Sequence, residues 1–126
     1  MKGRYASLLL VPIAIFGSFL LYGCSESSTP RTKAREDFVI EYGDGSYVPA
    51  ELTVERGQKV TFVNKSAVNM WPASDVHPVH FDYPEFDARR EIGPGQSWSF
   101  VFDRIGSWQF HDHLRSEIKG EIVVVE

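Results

Sequence analysis

The sequence predicts an all-β domain, a small antiparallel sandwich with Greek-key connections. Two observations support this prediction. From residue 38 onward the chain consists of short apolar runs rich in Val, Phe, Trp and Tyr, separated by Gly, Pro, Asn and Asp, which is the pattern of strands and turns. No segment of this region places apolar residues at helical spacing over ten or more positions. Short strands with frequent turns, within roughly ninety residues, are typical of a two-sheet sandwich.

Six strands are expected in this domain. The predicted strands cover 38–42, 51–54, 59–64, 97–103, 107–113 and 120–125, where β-branched and aromatic residues are concentrated. Residues 65–95 contain four prolines, and proline cannot donate to the hydrogen-bond ladder of a central strand. This segment is therefore expected to be irregular.

The beginning of the chain is expected to lie outside the domain. Lys2 and Arg4 precede an almost uninterrupted apolar run over 8–22, which is the arrangement of an export signal. The run has about fifteen residues, whereas a helix needs roughly twenty to cross a bilayer. We therefore expect a signal peptide at 1–23 and not a membrane-spanning anchor.

The only cysteine of the chain, Cys24, follows this apolar run directly. The segment Leu21-Tyr22-Gly23-Cys24 resembles the bacterial lipobox, in which a small residue precedes the cysteine that receives the lipid. The resemblance implies an exported lipoprotein of the bacterial cell envelope, anchored to the membrane through acyl chains and facing the periplasm or the exterior. The polar stretch 24–37 is then a flexible tether and 38–126 the folded domain. The alternative for Cys24 is a free, buried thiol.

Charge excludes one class of partner. The chain has 13 Lys plus Arg against 17 Asp plus Glu, and removal of the signal peptide leaves a formal net charge of about −6. Nucleic-acid binding depends on clustered Lys and Arg, so we expect no nucleic-acid partner. An acidic protein is compatible with holding cations. One cysteine cannot form an intrachain disulfide, so stability must come from a hydrophobic core.

Five motifs of the domain occur in the order of the strands and turns of a cupredoxin. They are YVPAELTV at 47–54, GQKVTFVN at 57–64, GPGQS at 93–97, GSWQF at 106–110 and KGEIVVV at 119–125. The chain therefore resembles the cupredoxins over most of the domain. The resemblance implies a cupredoxin-like Greek-key β-sandwich or barrel and a function connected with copper.

The resemblance does not extend to the ligands of a blue-copper site. Blue-copper cupredoxins hold their metal with His, Cys, His and usually Met. The matching positions of this chain are Asn69, Asp112, Arg115 and Ile118. A blue site requires a thiolate bonded to copper, and the only cysteine lies in the lipobox-like segment. Blue-copper electron transfer is therefore not expected.

All four histidines lie in two short motifs, His77-Pro78-Val79-His80 and His111-Asp112-His113. Because side chains of a strand alternate between faces, His111 and His113 are expected on one side and Asp112 on the other. At a rise of roughly 3.4 Å per residue their Cα atoms lie about 7 Å apart. Two imidazoles at this spacing can converge on one ion, with metal–nitrogen distances near 2.0 Å. The cupredoxin resemblance implies that the loop after the third strand lies near the end of this strand, so that His77 and His80 can complete the site. We therefore expect a mononuclear site formed by His77, His80, His111 and His113.

The motifs also resemble the His-Pro-x-His-x-His and His-Cys-His segments of the multicopper oxidases, with Asp82 and Asp112 in place of the third histidine and the cysteine. The coupled copper cluster of those enzymes takes eight histidines, so oxidase activity of this chain is not expected. Ligation by imidazole alone suits Cu(II), Zn(II) or Ni(II), and the affinity order of divalent metals favours copper. Copper is the predicted cofactor, with zinc as the alternative.

Carboxylates near the motifs are candidates for accepting the outer ring N–H of a ligand histidine. The preferred candidates are Asp75, Asp82 and Asp112, and Glu85 and Asp87 also lie nearby. Asp112 would need a buried partner if it faces inward, and Arg115 is the expected one. Met70 is a possible soft ligand for Cu(I), but core packing is the preferred interpretation.

Three functions fit these observations. The preferred one is sequestration or delivery of copper outside the cytoplasm. The second is a redox or electron-transfer protein with a non-blue mononuclear copper centre and a protein partner, and an enzymatic role stays open but is not preferred. The third is a metal-free cupredoxin scaffold that serves as a binding module.

Overall fold

The protein is described by a computed structural model that covers residues 36–126. The eight strands are β1 (Phe38–Gly43), β2 (Ser46–Val48), β3 (Glu51–Glu55), β4 (Gln58–Asn64), β5 (Pro72–Ser74), β6 (Ser97–Phe102), β7 (Gly106–Asp112) and β8 (Arg115–Val125). No helix in this part of the chain is long and apolar enough to span a bilayer. The predicted signal peptide, Cys24 and most of the predicted tether lie outside the described residues.

The strands form two four-stranded sheets, with the orders β2-β1-β4-β6 and β3-β8-β7-β5. The all-β prediction is confirmed. The expectation of purely antiparallel pairing is wrong in two places, because β1 runs parallel to β4 and β3 runs parallel to β8. Between β1 and β4 the chain crosses to the other sheet at β3 and returns. The alternation of apolar residues along a strand is the same whether the strand pairs parallel or antiparallel. The sequence pattern therefore does not reveal that the chain crosses between the sheets.

An aromatic core fills the space between the sheets. Burial alternates along β4, where Val60, Phe62 and Asn64 point inward. The Phe62 ring lies 5.7 Å from the ring of Phe86 and 5.4 Å from that of Phe110, between centroids. Such ring pairs stabilise a core beyond the area that they bury. The domain thus has a rigid base for its site that depends on no disulfide.

The six predicted strands are all present. Four of them have one end shifted by one residue, β7 has both ends shifted by one, and β8 begins at Arg115 instead of Gly120. Two short strands, β2 and β5, were not predicted. β5 lies in the proline-rich segment, but at the edge of its sheet, where β7 is the only strand that pairs with it and residues 86–88 add a few backbone hydrogen bonds on its other side. The proline argument excluded only a central strand, and an edge strand tolerates Pro72.

Candidate metal centre

Pairing of β5 with β7 brings the two histidine motifs together. The pairing extends past both ends of β5, because the N–H of Asp75 donates to Gln109 O at 2.9 Å and the N–H of His113 donates to Trp71 O at 2.7 Å. The loop that holds the first motif therefore leaves the sheet beside the second motif.

A tight turn at residues 76–80 folds the first motif back onto β7. The N–H groups of Val79 and His80 donate to Val76 O at 2.9 and 2.7 Å, and the N–H of Asp82 donates to Asp75 O at 3.0 Å. His80 has a φ of 53°, in the left-handed region that few residues other than glycine adopt. These bonds hold His80 in that conformation, and its ring is buried.

The four histidine rings form one cluster. One ring nitrogen from each lies within 4.8 Å of the other three. Nδ1 of His77 lies 3.2 Å from Nε2 of His111, and Nε2 of His80 lies 3.0 Å from Nδ1 of His113. At metal–nitrogen distances of about 2.0–2.1 Å, neighbouring ligand nitrogens of a four-coordinate site lie roughly 2.9–3.4 Å apart. The two short nitrogen pairs therefore have the spacing of neighbouring ligands around one ion.

Asp75 orients the ring of His111. Oδ1 of Asp75 lies 2.6 Å from Nδ1 of His111, and Oδ2 accepts a bond from Lys119 Nζ at 3.0 Å. Burial alone would raise the pKa of Asp75, but the hydrogen bonds from Lys119 and His111 outweigh it and hold this pKa below its ordinary value. The carboxylate is thus ionised and accepts the Nδ1–H. The lone pair of His111 Nε2 then faces the other histidines.

Asp87 orients His80 in the same way. It lies opposite Ala73 of β5 through an isolated bridge, and its Oδ2 is 3.0 Å from His80 Nδ1. Its Oδ1 accepts bonds from Trp71 Nε1 at 2.7 Å and from the Arg89 N–H at 2.8 Å. Burial would raise the pKa of Asp87, but these bonds lower it overall. His80 Nε2 is therefore the nitrogen available to a metal.

The other side of the cluster is covered by Trp71, whose ring centroid lies 4.7 Å from that of His113. Burial, together with the nearby His80 and His77, lowers the pKa of His113. Burial also lowers the pKa of His111, against the opposing effect of Asp75. Because both pKa values are lowered, both rings are neutral at neutral pH. Neutral imidazole is the form that binds metal.

His77 is the solvent-exposed member of the cluster. His80 is 6% exposed and His111 0%, and His113 is half-buried. Val76 and Val79, on either side of His77 in the turn, are exposed apolar residues. Across residues 36–126, the only polar contact of the His77 ring is the one with His111. Three of the four rings are thus buried or half-buried, and His77 is the ring at the surface.

Comparison with known proteins assigns the chain to a family. A family model described as a cupredoxin-like domain matches residues 12–124. The chain belongs to the family of cupredoxin-like domains. No curated protein sequence matches the chain.

Solved structures agree on the fold. A reduced amicyanin variant is 24% identical over 73% of this chain and 85% of its own, with a TM-score of 0.61. A reduced Cu(I) form of another amicyanin variant has the same identity, coverage and TM-score, namely 24%, 73%, 85% and 0.61. A purple cupredoxin from Nitrosopumilus maritimus is 20% identical over 71% of this chain and 100% of its own, with a TM-score of 0.60. Likeness at these identities establishes the cupredoxin fold alone.

In this cupredoxin-like domain, Asp112 has a different role from Asp75. It is fully buried, and its Oδ1 accepts bonds from the N–H groups of Trp71 and Leu114 at 2.8 and 3.2 Å. Its Oδ2 forms an ion pair of 2.7 Å with Arg115 Nη2. Asp112 therefore holds the backbone around the site, with the partner that the sequence suggested, and contacts none of the histidine rings.

Asp82 also does not serve as a hydrogen-bond partner of the histidines. Its side chain is exposed, and no hydrogen bond joins it to a histidine in the described part of the chain. Glu85 pairs with Arg104 at 2.9 Å, away from the cluster. Asp87, a candidate that was not preferred, is instead the carboxylate that contacts a histidine ring. The reason is its pairing beside β5, which is not visible in the sequence.

Arg115 links three of the four positions that the resemblance matched to blue-copper ligands. It pairs with Asp112 and donates a hydrogen bond to the Asn69 carbonyl. Its Nε donates to Tyr42 Oη at 3.0 Å. Where a blue-copper protein has metal ligands, this domain thus has an ion pair between Arg115 and Asp112 and a hydrogen bond from Arg115 to Asn69. Met70 is 0% exposed and packs in the hydrophobic core, as the packing interpretation predicted.

Lys119 and Trp71 contribute to the centre but were not predicted. The regular register of β7 against β8 places Lys119 opposite His111, and it shifts only at the next residue, where Arg115 lies opposite Asp112. The pairing register of two strands has no local sequence signal. Trp71 did have a sequence signal, because it lies within a few residues of the first histidine motif. An aromatic residue at that place also fits core packing, so the signal was ambiguous.

Proposed function

We propose that this cupredoxin-like domain binds one copper ion through His77, His80, His111 and His113, and that it sequesters or delivers copper outside the cytoplasm. The supporting observation is the convergence of four ring nitrogens within 4.8 Å of one another. Carboxylate partners on two of the rings add to it, because they orient ligands before the metal arrives.

The polarity of the cluster also favours a metal over a purely structural role. His80 and His111 each donate their Nδ1–H to a carboxylate, so both direct a lone pair into the cluster. Two buried lone pairs need donors or a cation. In the metal-free protein the donors are the Nδ1–H groups of His77 and His113, and both of these rings are more accessible to solvent. An ion can replace these two hydrogen bonds with four metal–nitrogen bonds.

Copper is the metal that fits best. Neutral imidazoles bind Cu(II) more tightly than Zn(II) in the general affinity order, and the site offers no thiolate that would favour other metals. One of the solved neighbours is a Cu(I) form of amicyanin. Zinc is the alternative metal, and the titration below must distinguish it from copper. The predicted export signal and the lipobox-like segment at Cys24 are the basis for proposing an envelope location, with the domain tethered to a membrane.

Copper titration of the metal-free protein tests the proposal. We expect one equivalent of Cu(II) with an axial, non-blue electron paramagnetic resonance spectrum, and weaker binding of Zn(II) in competition. A variant with both His111→Ala and His113→Ala should retain no stoichiometric copper while its circular dichroism stays native. Asp82→Asn is the matched control and should bind like the wild type. Stoichiometric binding by the double variant would contradict the proposal.

The exposure of His77 favours a redox role as a second candidate. A centre open to solvent on one side can accept a further ligand or approach a redox partner. This role requires reversible Cu(II)/Cu(I) cycling in a physiological range. Protein-film voltammetry of the copper form separates it from simple storage, because a storage site has no need of such a couple.

A further inference from the structure

We infer that His77 is the ligand through which copper enters and leaves the centre, whereas His80, His111 and His113 form a fixed base of three nitrogens. This inference rests on the proposed copper site and adds the side of the site at which copper is exchanged. It follows from how differently the four rings are held.

Two ligands cannot move without breaking strong interactions. His111 is fully buried on β7 between two neighbouring strands, with Nδ1 2.6 Å from the ionised Asp75. His80 is 6% exposed and bonded to Asp87, which is itself fixed by Trp71. Hydrogen bonds to an ionised carboxylate are among the stronger ones in proteins. These two rings therefore stay in place when the metal leaves.

His113 is held in a different way. Its N–H bonds to Trp71 O at 2.7 Å, which continues the β5–β7 ladder past the end of the strand. The Trp71 ring also packs against the His113 ring at 4.7 Å. The ring of Trp71 in turn donates to Asp87, so His113 and His80 are fixed by one connected group of side chains.

His77 lacks two of these constraints, the carboxylate partner and the place in a strand ladder. Its ring is held by other histidines, with Nδ1 3.2 Å from His111 Nε2 and its centroid 4.8 Å from that of His113. It is exposed, it lies in a turn outside the strands, and its ring has no carboxylate partner within residues 36–126. The neighbouring Val76 and Val79 have no side-chain donor or acceptor that could hold its outer nitrogen. Rotation of this one side chain uncovers the ion without disturbing the sheet.

Exchange at this position requires no redox change. One copper–nitrogen bond to His77 breaks, and one bond forms to a donor atom of the incoming ligand, which supplies its own electron pair. The imidazole leaves with its lone pair, and the copper keeps its oxidation state throughout. The incoming ligand is any nitrogen, oxygen or sulfur donor that reaches the open side.

Release kinetics of the full-length copper-loaded protein test the inference. Wild type, His77→Ala and the matched variant His80→Ala are titrated with Cu(II), and release to excess EDTA is then followed by stopped-flow absorption. We expect His77→Ala to keep one equivalent of copper and to release it at least tenfold faster than the wild type. His80→Ala, which removes a buried ligand of the same turn, should keep no stoichiometric copper.

Two results would overturn the inference while leaving the copper site intact. One is loss of stoichiometric binding in His77→Ala to the same degree as in His80→Ala, and the other is release from His77→Ala at the wild-type rate. Failure of the wild type itself to bind copper would instead overturn the proposed function. Circular dichroism of each variant separates loss of ligand from loss of fold.

Discussion

Asp75 and His111 are 36 residues apart in the chain, yet an Asp75 carboxylate oxygen lies 2.6 Å from the His111 ring. The contact exists because β5 leads directly into Asp75 and pairs with β7, which holds His111. Lys119, on β8 at the other side of β7, bonds the second oxygen of the same carboxylate. Three adjacent strands of one sheet therefore supply the orientation of a single ligand ring.

Replacement of Asp75 by Asn should weaken copper binding about 10- to 100-fold, which is the usual effect of losing a carboxylate behind a ligand histidine. Asn keeps the size of the side chain but loses the charge that pairs with Lys119 and favours the Nδ1–H tautomer of His111. Competition titration with a chelator of known affinity measures the change. Asp82→Asn, on the same loop and exposed, should change affinity less than twofold, and an equal effect of both variants would contradict the assignment.

The ring tautomers of the cluster should change when metal binds. In the metal-free protein, the two carboxylates and the two imidazole–imidazole contacts predict Nδ1–H on all four rings. With Zn(II) as a diamagnetic probe, His77 and His113 should convert to Nε2–H, because their Nδ1 atoms become ligands. Nitrogen-15 correlation spectra of labelled histidine at neutral pH measure this. Unchanged tautomers at these two rings in the zinc form would contradict the ligand atoms assigned.

Removal of Arg115 should destabilise the fold by about 3–5 kcal/mol, because it leaves a buried carboxylate without its cation. Asp112 is 0% exposed and Arg115 31% at the side chain. Arg115→Met lowers the free energy of unfolding in urea, and addition of Asp112→Asn should restore part of it. Arg104→Met removes a solvent-exposed ion pair with Glu85 and should cost less than about 1 kcal/mol. No recovery in the double variant would contradict the electrostatic explanation.

Gly120→Ala should destabilise the domain by about 1–3 kcal/mol, as overpacking of a core does. A Cβ at Gly120 would lie 2.4 Å from the Phe110 ring and 2.9 Å from the carbonyl oxygen of Ala50. The ring and the backbone would both have to move. Gly43→Ala is the control, since the nearest atom to its Cβ, in Lys65, is 3.9 Å away. Equal midpoints of urea unfolding for the two variants would show that the sheets adjust freely.

Stability should fall at high pH in part because of Tyr83. This residue is 1% exposed and donates a hydrogen bond to the Asp103 carboxylate, and burial and Asp103 raise its pKa to about 12. A pKa above the unfolded value of about 10 gives stability that is complete below pH 10 and is lost as the pH rises towards 12. The stability advantage of the wild type over Tyr83→Phe should therefore shrink across this range in urea unfolding. A constant difference from pH 8 to 12 would refute the linkage.

The strand positions and the two histidine motifs were readable from the residues. Alternating apolar residues, turn glycines and prolines act within a few positions of one another, so their pattern predicts local structure. For the same reason, five predicted strands agree with the observed ones to within one residue at each end. The fold class followed from the same local information, as did the expectation that His111 and His113 face the same group of side chains.

Tertiary structure alone decided how those parts meet. The position of β5 at a sheet edge, the two parallel pairs and the β7–β8 register that places Lys119 opposite His111 depend on contacts between distant segments. These contacts choose Asp75 and Asp87 over Asp82 as partners of the rings. They also bury His111 and leave His77 exposed. Both histidines occur in similar short motifs, and the order of strands around them buries one and leaves the other at the surface.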